Sequence, residues 1–283
     1  MKRPTREGWL EAHPYLQPVA AVCAEVDRAA RDIEIGSAPV PSFAAYDADF
    51  RAGVALLRSR AAAVDLAPAG RATVSLAARL AAAPSASSGR IAGEASALAE
   101  GLRREPEAAP RVAEWLLGEA SLEPPAPGLL RYLGWTVLAR YLAPVVAAFE
   151  KWRNDELWLR PGCPACGSPP AMAQLVGTDP GRKRLLVCGG CGTRWQFPRT
   201  KCPFCEKDAQ ELSVVTVEGE GGLRLDSCRS CRGYLKTYDG QGQEDLFLAD
   251  WTSLHLDLVA HDRGLERRAA SLFTLDLAAA FDA

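Results

Sequence analysis

Four short stretches decide the fold: CPAC at residues 163–166, CGGC at 188–191, CPFC at 202–205 and CRSC at 228–231. Each is a Cys-x-x-Cys motif, and the gaps between successive motifs are 21, 10 and 22 residues. The first two motifs and the last two therefore form an internal repeat. This interval is typical of a ribbon in which two knuckles close around one ion with four sulfur ligands.

A Cys-x-x-Cys turn places two thiolates on one side of a tight backbone loop, whose amides can donate to the sulfurs. A glycine after the second cysteine eases this turn because it adopts positive φ without a steric penalty. Gly167 and Gly192 stand at that position in the first repeat, whereas Glu206 and Arg232 stand there in the second. The second ribbon must hold these two side chains in the same conformation or turn differently.

We expect sequential pairing of the motifs, with one ion for each repeat. An interleaved pairing is the alternative, and a dithiol enzyme would need a strand-to-helix motif in a βαβ pattern that the sequence lacks. The predicted metal ligands are Cys163, Cys166, Cys188 and Cys191 for the first ion and Cys202, Cys205, Cys228 and Cys231 for the second.

The residues between the knuckles favour β-structure. Residues 172–176 and 184–187 can pair around a Gly-Thr-Asp-Pro-Gly turn, and residues 212–218 and 223–226 around a Gly-Glu-Gly-Gly turn. Third strands are expected at 194–197 and 233–238. Each unit has about 40 residues and is too small to be stable through core burial alone, so we expect a bound metal ion to stabilise it. We interpret both as rubredoxin-like or zinc-ribbon units.

The first 160 residues predict helices. Apolar residues recur every three or four positions from Leu16 to Ile33, and again at Phe50, Val54, Leu57, Ala61 and Val64. Further helices are expected near 70–83, 90–104, 107–117 and 129–154. After the ribbons, residues 246–261 and 265–281 predict two closing helices.

The predicted fold class is therefore α+β. We expect an all-helical N-terminal domain at 1–159, tandem four-cysteine ribbons at 160–198 and 199–242, and a short helical C-terminal segment at 243–283.

The chain is expected to be cytoplasmic. No apolar stretch typical of a secretory signal follows the N-terminus. Arg131 and Arg140 interrupt the apolar segment 129–149, so we predict a core helix rather than a membrane span. Nine cysteines in a reducing compartment favour metal binding over disulfides.

Charge disfavours nucleic acid as a partner. The net charge is −2, and the ribbon region 160–240 has 12 Lys and Arg against 8 Asp and Glu. Two divalent ions, each with four thiolates, would cancel this positive excess, so the basic side chains are interpreted as partial compensation for the sites. A tetrahedron of four sulfurs suits zinc or iron and leaves no open position for hydrolytic catalysis.

Few other residues suggest chemistry. Cys23 lies on the apolar stripe of its helix and is expected to be a buried structural thiol. His13, His255 and His261 are scattered, and we expect helix-surface or cap roles for them. The aromatic side chains on the expected third strands suggest packing under the knuckles or a partner surface; they are Trp195, Phe197, Tyr234 and Tyr238.

The chain from Cys163 to about Arg267 resembles the formate dehydrogenase accessory (formation) proteins of the FdhE type. The resemblance rests on four stretches, namely residues 163–170, 184–191, 202–205 and 228–236, together with Trp195 and Arg199. A closing motif continues it at residues 249–254, Leu256, Asp257, Gly264 and Arg267.

The resemblance implies an accessory factor that matures respiratory formate dehydrogenase and contacts its catalytic subunit, and not an enzyme. It also implies that the eight paired cysteines hold two tetrathiolate ions, with iron favoured and zinc possible. The residues it suggests for partner binding are Trp195, Arg199, Tyr234, Lys236 and Asp250. A rubredoxin-like electron carrier or redox sensor is the alternative function, and a zinc-ribbon nucleic-acid binder is a third.

Overall fold

A computed structural model describes residues 5–82, 89–105, 107–178, 180–220, 222–269 and 271–273. The α-helices within these residues are α1 (Arg6–Ala12), α2 (Gln17–Arg31), α3 (Asp47–Ala52), α4 (Ala67–Ala81), α5 (Gly89–Arg104), α6 (Ala108–Leu116), α7 (Pro127–Trp152), α8 (Asp155–Trp158), α9 (Glu244–Phe247) and α10 (Leu254–Asp262). The β-strands are β1 (Pro170–Val176), β2 (Lys183–Cys188), β3 (Arg194–Gln196), β4 (Leu212–Thr216), β5 (Leu223–Cys228), β6 (Gly233–Asp239) and β7 (Glu266–Arg267). The predicted α+β fold class is confirmed.

The helical region packs around α7. This helix contacts α2, α4, α5 and α6, and its buried face includes Leu130, Val137 and Phe149. Its length and composition alone would allow it to cross a membrane, but half of its most apolar window is buried inside the protein. Such burial is typical of the core helix of a bundle.

One predicted helix is wrong. The apolar stripe from Phe50 to Val64 does not continue through a single helix, because Gly53 adopts φ +82° and ends α3. Two 3-10 turns follow, Leu56–Arg58 and Arg60–Ala62. The amides of Leu56 and Leu57 instead donate to the carbonyls of residues 164 and 165, both at 2.9 Å. The first knuckle therefore replaces the helical hydrogen bonds of this segment.

The two ribbons share a single sheet. Its strand order is β3-β2-β1-β6-β5-β4, with β7 paired to β6. Each ribbon forms an antiparallel meander, and β1 and β6 join the meanders in parallel, with Met172 opposite Lys236. Both joining strands are buried along nearly their whole length. The expected division at residue 198 is thus a change of ribbon and not a break in the sheet.

Packing also crosses the other expected boundaries. One apolar core joins the helices to Trp195, Phe197 and the cysteines of the first ribbon. A second core joins Trp9, Leu16 and Cys23 near the N-terminus to the second ribbon and α10. Burial raises the pKa of the Cys23 thiol to about 11, as expected of a structural cysteine. The division of the chain into four units stays a prediction, because each apolar core contains residues from more than one of these units.

The C-terminal segment is only partly as expected. Residues 246–261 are helical in pieces, namely the end of α9, a 3-10 turn at Asp250–Ser253, and α10. Residues 265–281 were expected to form a second helix, but Glu266–Arg267 is a strand that pairs with β6. Residues 274–281 lie outside the described residues. Pairing with Gly233 and Tyr234 at the start of β6, before the stretch that pairs with β1, replaces the helical hydrogen bonds here.

A buried ion-pair network holds this segment to the second ribbon. Lys236 Nζ, on β6, lies 2.6 Å from Asp250 Oδ1 and 3.0 Å from Asp257 Oδ2. Arg267 approaches the same two carboxylates at 2.7 and 2.8 Å. Burial would raise the pKa of Asp250, but the charges of Lys236 and Arg267 outweigh it and hold that pKa well below its usual range.

We expect Lys236→Met to lower the free energy of unfolding by about 3–5 kcal/mol, because it leaves two buried carboxylates sharing one cation. Urea denaturation at neutral pH of the metal-loaded protein measures this loss. The Asp250 carboxylate stabilises the folded state fully above about pH 4, near the pKa of an unfolded aspartate. This stabilisation is lost as the pH falls further, because the pKa of Asp250 is lower in the folded state than in the unfolded state. The matched control is Lys183→Met at an exposed lysine of β2; equal effects of the two changes would contradict the prediction.

Candidate metal centres

The Cys-x-x-Cys turns of the two ribbons share one backbone geometry. In the first knuckle the amide of Gly167 donates to Cys163 O at 2.8 Å. In the third knuckle the amide of Glu206 donates to Cys202 O at 3.0 Å. This closed turn brings both sulfurs of a knuckle to the same side.

In all four knuckles the residue after the second cysteine has a left-handed backbone conformation. Gly167 and Gly192 have φ of +79° and +73°, while Glu206 and Arg232 both have φ of +57°. The second ribbon therefore does not turn differently; it forces two ordinary side chains into a conformation that costs about 1–2 kcal/mol each.

The sulfurs gather as two sequential quartets, as predicted. In the first quartet Cys163 Sγ lies 3.6 Å from Cys191 Sγ, and Cys166 Sγ lies 3.4 Å from Cys188 Sγ and 3.7 Å from Cys191 Sγ. All four side chains are buried.

The second quartet has the same size but is nearer the surface. Cys202 Sγ lies 3.8 Å from Cys231 Sγ, and Cys205 Sγ lies 3.7 Å from Cys228 Sγ. Cys205 and Cys231 are half-buried, whereas the other two are buried.

These separations fit metal ions. A tetrahedron with metal–sulfur bonds of about 2.3 Å has edges of about 3.8 Å, whereas a disulfide needs about 2.05 Å. Each quartet therefore has the size of a tetrathiolate site for zinc or iron, and sulfur ligands do not distinguish the two metals.

Thiol electrostatics agree with this fit. Burial raises the pKa of Cys163 well above its usual value, while hydrogen bonds from the other three cysteines hold that of Cys166 well below its own. Burial also raises the pKa of Cys202 to about 12. Four clustered thiolates thus need a cation, and metal binding would release the remaining protons.

Polar groups surround the sulfurs. The amides of Phe204 and Gly233 donate to the sulfurs of Cys202 and Cys231, both at 3.4 Å. In the first ribbon, Ser168 Oγ lies 3.3 Å from Cys166 Sγ and Thr193 Oγ1 lies 3.2 Å from Cys191 Sγ. Such donors stabilise sulfur that carries negative charge.

The basic side chains of the ribbons are compensated in part by other groups. Arg182 forms an ion pair with Asp239, and Arg224 pairs with Asp226 at 2.9 Å. Arg184 is buried and donates to backbone carbonyls, including Lys201 O at 2.5 Å. The sequence-based interpretation assigned part of this charge to the thiolates; the structure pairs several of the basic groups with carboxylates and backbone carbonyls.

The residues suggested for partner binding do not share one surface. Trp195 is fully buried and donates from its indole to Arg160 O at 3.0 Å. Tyr234, Lys236 and Asp250 are also buried, with Tyr234 donating to Asp257 at 2.7 Å. Their burial gives these four side chains packing and charge-pairing roles. The fifth, Arg199, is exposed, so partner contact stays a prediction that is best placed there.

Sequence reasoning missed one cluster. His13 occupies the C-cap of α1, one of the expected cap roles, but its side chain and that of His255, on α10, are largely buried beside Glu220. His13 precedes Glu220 and His255 by more than 200 residues, so no sequence spacing could relate the three. His261 is exposed, as expected.

Comparisons with known proteins agree with the geometry. A sequence-family model described as "FdhE, central domain" matches residues 162–199, which contain the first quartet. An FdhE homolog from Pseudomonas aeruginosa is 36% identical over 120 residues, covering 39% of this chain and 38% of that protein. Another from Aquifex aeolicus is 31% identical over 135 residues, covering 45% and 47%.

The crystal structure of the FdhE protein from Pseudomonas aeruginosa superposes with a TM-score of 0.50 at 25% identity, covering 82% of this chain and 75% of that one. These matches confirm the resemblance to the FdhE family. The sequence matches span less than half the length of the relatives, whereas the structural match includes most of the helical region.

The strained knuckles of the second ribbon yield a paired prediction. We expect Glu206→Gly to raise the free energy of unfolding of the metal-loaded protein by about 1 kcal/mol, because glycine adopts φ +57° without strain. We expect Gly192→Ala to lower it by about 1–2 kcal/mol through its φ of +73° alone, since an added Cβ meets no atom within 4 Å. Chemical denaturation measures both; changes of the same sign would contradict the argument.

Proposed function

We propose that the protein is a cytoplasmic accessory factor for the maturation of respiratory formate dehydrogenase, that it binds the catalytic subunit, and that it is not itself an enzyme. The observation that carries the proposal is the pair of closed four-sulfur sites within one sheet, in a chain that resembles FdhE proteins in sequence and fold. The eight paired cysteines are the proposed ligands of two zinc or iron ions.

The geometry of the sites supports a binding role. Each quartet supplies four ligands, and a tetrahedral ion with four protein ligands has no position for a substrate or for water. The first quartet is buried beneath the helical region, where an ion stabilises the ribbon rather than reacting.

The partner test uses the full chain. We expect the wild-type protein to co-purify with the catalytic subunit of formate dehydrogenase, and a strain lacking it to lose most formate dehydrogenase activity. We expect Arg199→Ala to weaken co-purification by about tenfold, since it removes an exposed charge predicted to contact the partner.

The matched control is Arg71→Ala, which removes an exposed arginine on α4, away from the ribbons. Wild-type enzyme activity in the deletion strain would overturn the proposed function. Equal binding by the Arg199 variant would overturn only the assignment of the contact.

The electron-carrier alternative is favoured by one observation. Cys205 and Cys231 are half-buried, so the second ion would lie close enough to the surface for electron exchange. Absorption from ferric tetrathiolate in protein purified anaerobically from its own host, bleached reversibly on reduction, would support this alternative. A colourless zinc protein from the same preparation would exclude it.

A further inference from the structure

Two histidines and a glutamate meet outside the four-cysteine centres. His13 lies between α1 and the following 3-10 turn, Glu220 lies in the turn between β4 and β5, and His255 lies in the first turn of α10. The Nε2 atoms of His13 and His255 lie 3.1 and 2.9 Å from the same oxygen, Glu220 Oε1. The three side chains are only 8–12% exposed.

The ring of His13 is oriented as a metal ligand requires. Its Nδ1 lies 2.9 Å from the carbonyl oxygen of Trp9, which only accepts, so Nδ1 carries the hydrogen and donates it. In this neutral tautomer Nε2 carries no hydrogen, so its lone pair faces a carboxylate oxygen. A backbone carbonyl that fixes the tautomer in this way is the usual outer partner of a metal-binding histidine. The indole of Trp9 stacks on the ring at 3.9 Å and holds its plane.

The remaining atoms of the cluster are not satisfied by the protein. His255 Nε2 is close to Glu220 Oε1 but is not aligned for a hydrogen bond. Among the described residues, neither ring nitrogen of His255 nor Glu220 Oε2 has a hydrogen-bond partner. Unpaired buried polar atoms destabilise a fold, so a cluster of three needs an explanation.

The buried charge of Glu220 also indicates that the cluster holds a positive charge. Burial would raise the pKa of Glu220, but the imidazoles of His255 and His13 beside its carboxylate outweigh burial, so this pKa lies below its usual value. A buried carboxylate facing two imidazole nitrogens requires positive charge between them, either protons or a cation.

We propose that His13, Glu220 and His255 bind a third metal ion, a divalent transition metal of the zinc or ferrous class. Their ligand atoms all lie within 4.8 Å of one another. Bonds of about 2.0–2.2 Å in a tetrahedral site give edges of about 3.3–3.6 Å. The two Nε2–Oε1 separations, 3.1 and 2.9 Å, therefore need to widen by only a few tenths of an ångström to reach the lower end of this range. Two imidazoles and one carboxylate suit these metals, whereas calcium and magnesium prefer oxygen ligands.

This site differs from the tetrathiolates in its chemistry and in its place in the fold. Three protein ligands leave a coordination position for water or for a donor from a partner. The ion would also connect the N-terminal helix, the second ribbon and α10, which lie in the same apolar core. Its occupancy would therefore stabilise the association of the chain's two ends with the ribbon.

Zinc titration of the full chain tests the proposal, starting from protein whose two four-cysteine sites are already filled. Calorimetry and elemental analysis are expected to show one further equivalent of Zn²⁺ bound by the wild type. The variants His255→Gln and Glu220→Gln are expected to bind that equivalent at least tenfold more weakly, because each loses a ligand. The matched control His261→Gln removes an exposed histidine of the same helix and is expected to bind like the wild type.

X-ray absorption provides a second measurement on the wild type, which does not depend on a variant's folding. The third equivalent is expected to show nitrogen and oxygen ligands at about 2.0–2.2 Å rather than sulfur at about 2.3 Å. Absence of a third equivalent, or a third equivalent bound by sulfur, would overturn the proposal. So would undiminished binding by His255→Gln and Glu220→Gln, which would leave a protonated His–Glu–His hydrogen-bonded group as the explanation of the cluster.

Discussion

The structure depends on holding four cysteine sulfurs within 4.8 Å of one another, with the nearest pairs at 3.4–3.8 Å, at two places in a single sheet. Sulfurs at this separation form no covalent bond, and four buried thiolates repel each other strongly. Only a cation at the centre makes the arrangement favourable. Folding of the ribbons and metal binding at their sites are therefore thermodynamically coupled.

The two quartets depend on their surroundings to different degrees. Around the first, amides of residues 56 and 57 pair with the knuckle, and the ring of Trp135 packs so closely on Gly190 that a Cβ there would approach it to 2.7 Å. In the second quartet Cys205 and Cys231 are half-buried. An ion in the first site is thus embedded in the main core, whereas an ion in the second lies at the edge of the molecule.

Local signals in the sequence predicted the knuckles, the hairpins and most helices, because each rests on contacts between residues close in the chain. The failures are all long-range. The sequence did not predict the parallel pairing of β1 with β6, since strand propensity says nothing about which strands become neighbours. Nor did any periodicity relate His13 to Glu220 and His255. The stripe from Phe50 to Val64 misled because a helical pattern of apolar residues also results when the chain packs against a knuckle more than 100 residues away.

The second ribbon compensates for its less favourable turns by using the C-terminal segment. Arg232 has the left-handed backbone that glycine has in the first ribbon, yet its carbonyl accepts from the amide of Glu266 at 2.8 Å and its Nε donates to Gly264 O at 2.8 Å. Arg268 donates to Cys231 O in the same knuckle. Four residues after Arg232, on β6, Lys236 forms ion pairs with Asp250 and Asp257. The closing motif that carries much of the family resemblance thus holds the fourth knuckle in place. Its residues contact the second ribbon, and the partner proposed above would bind other side chains that remain at the surface.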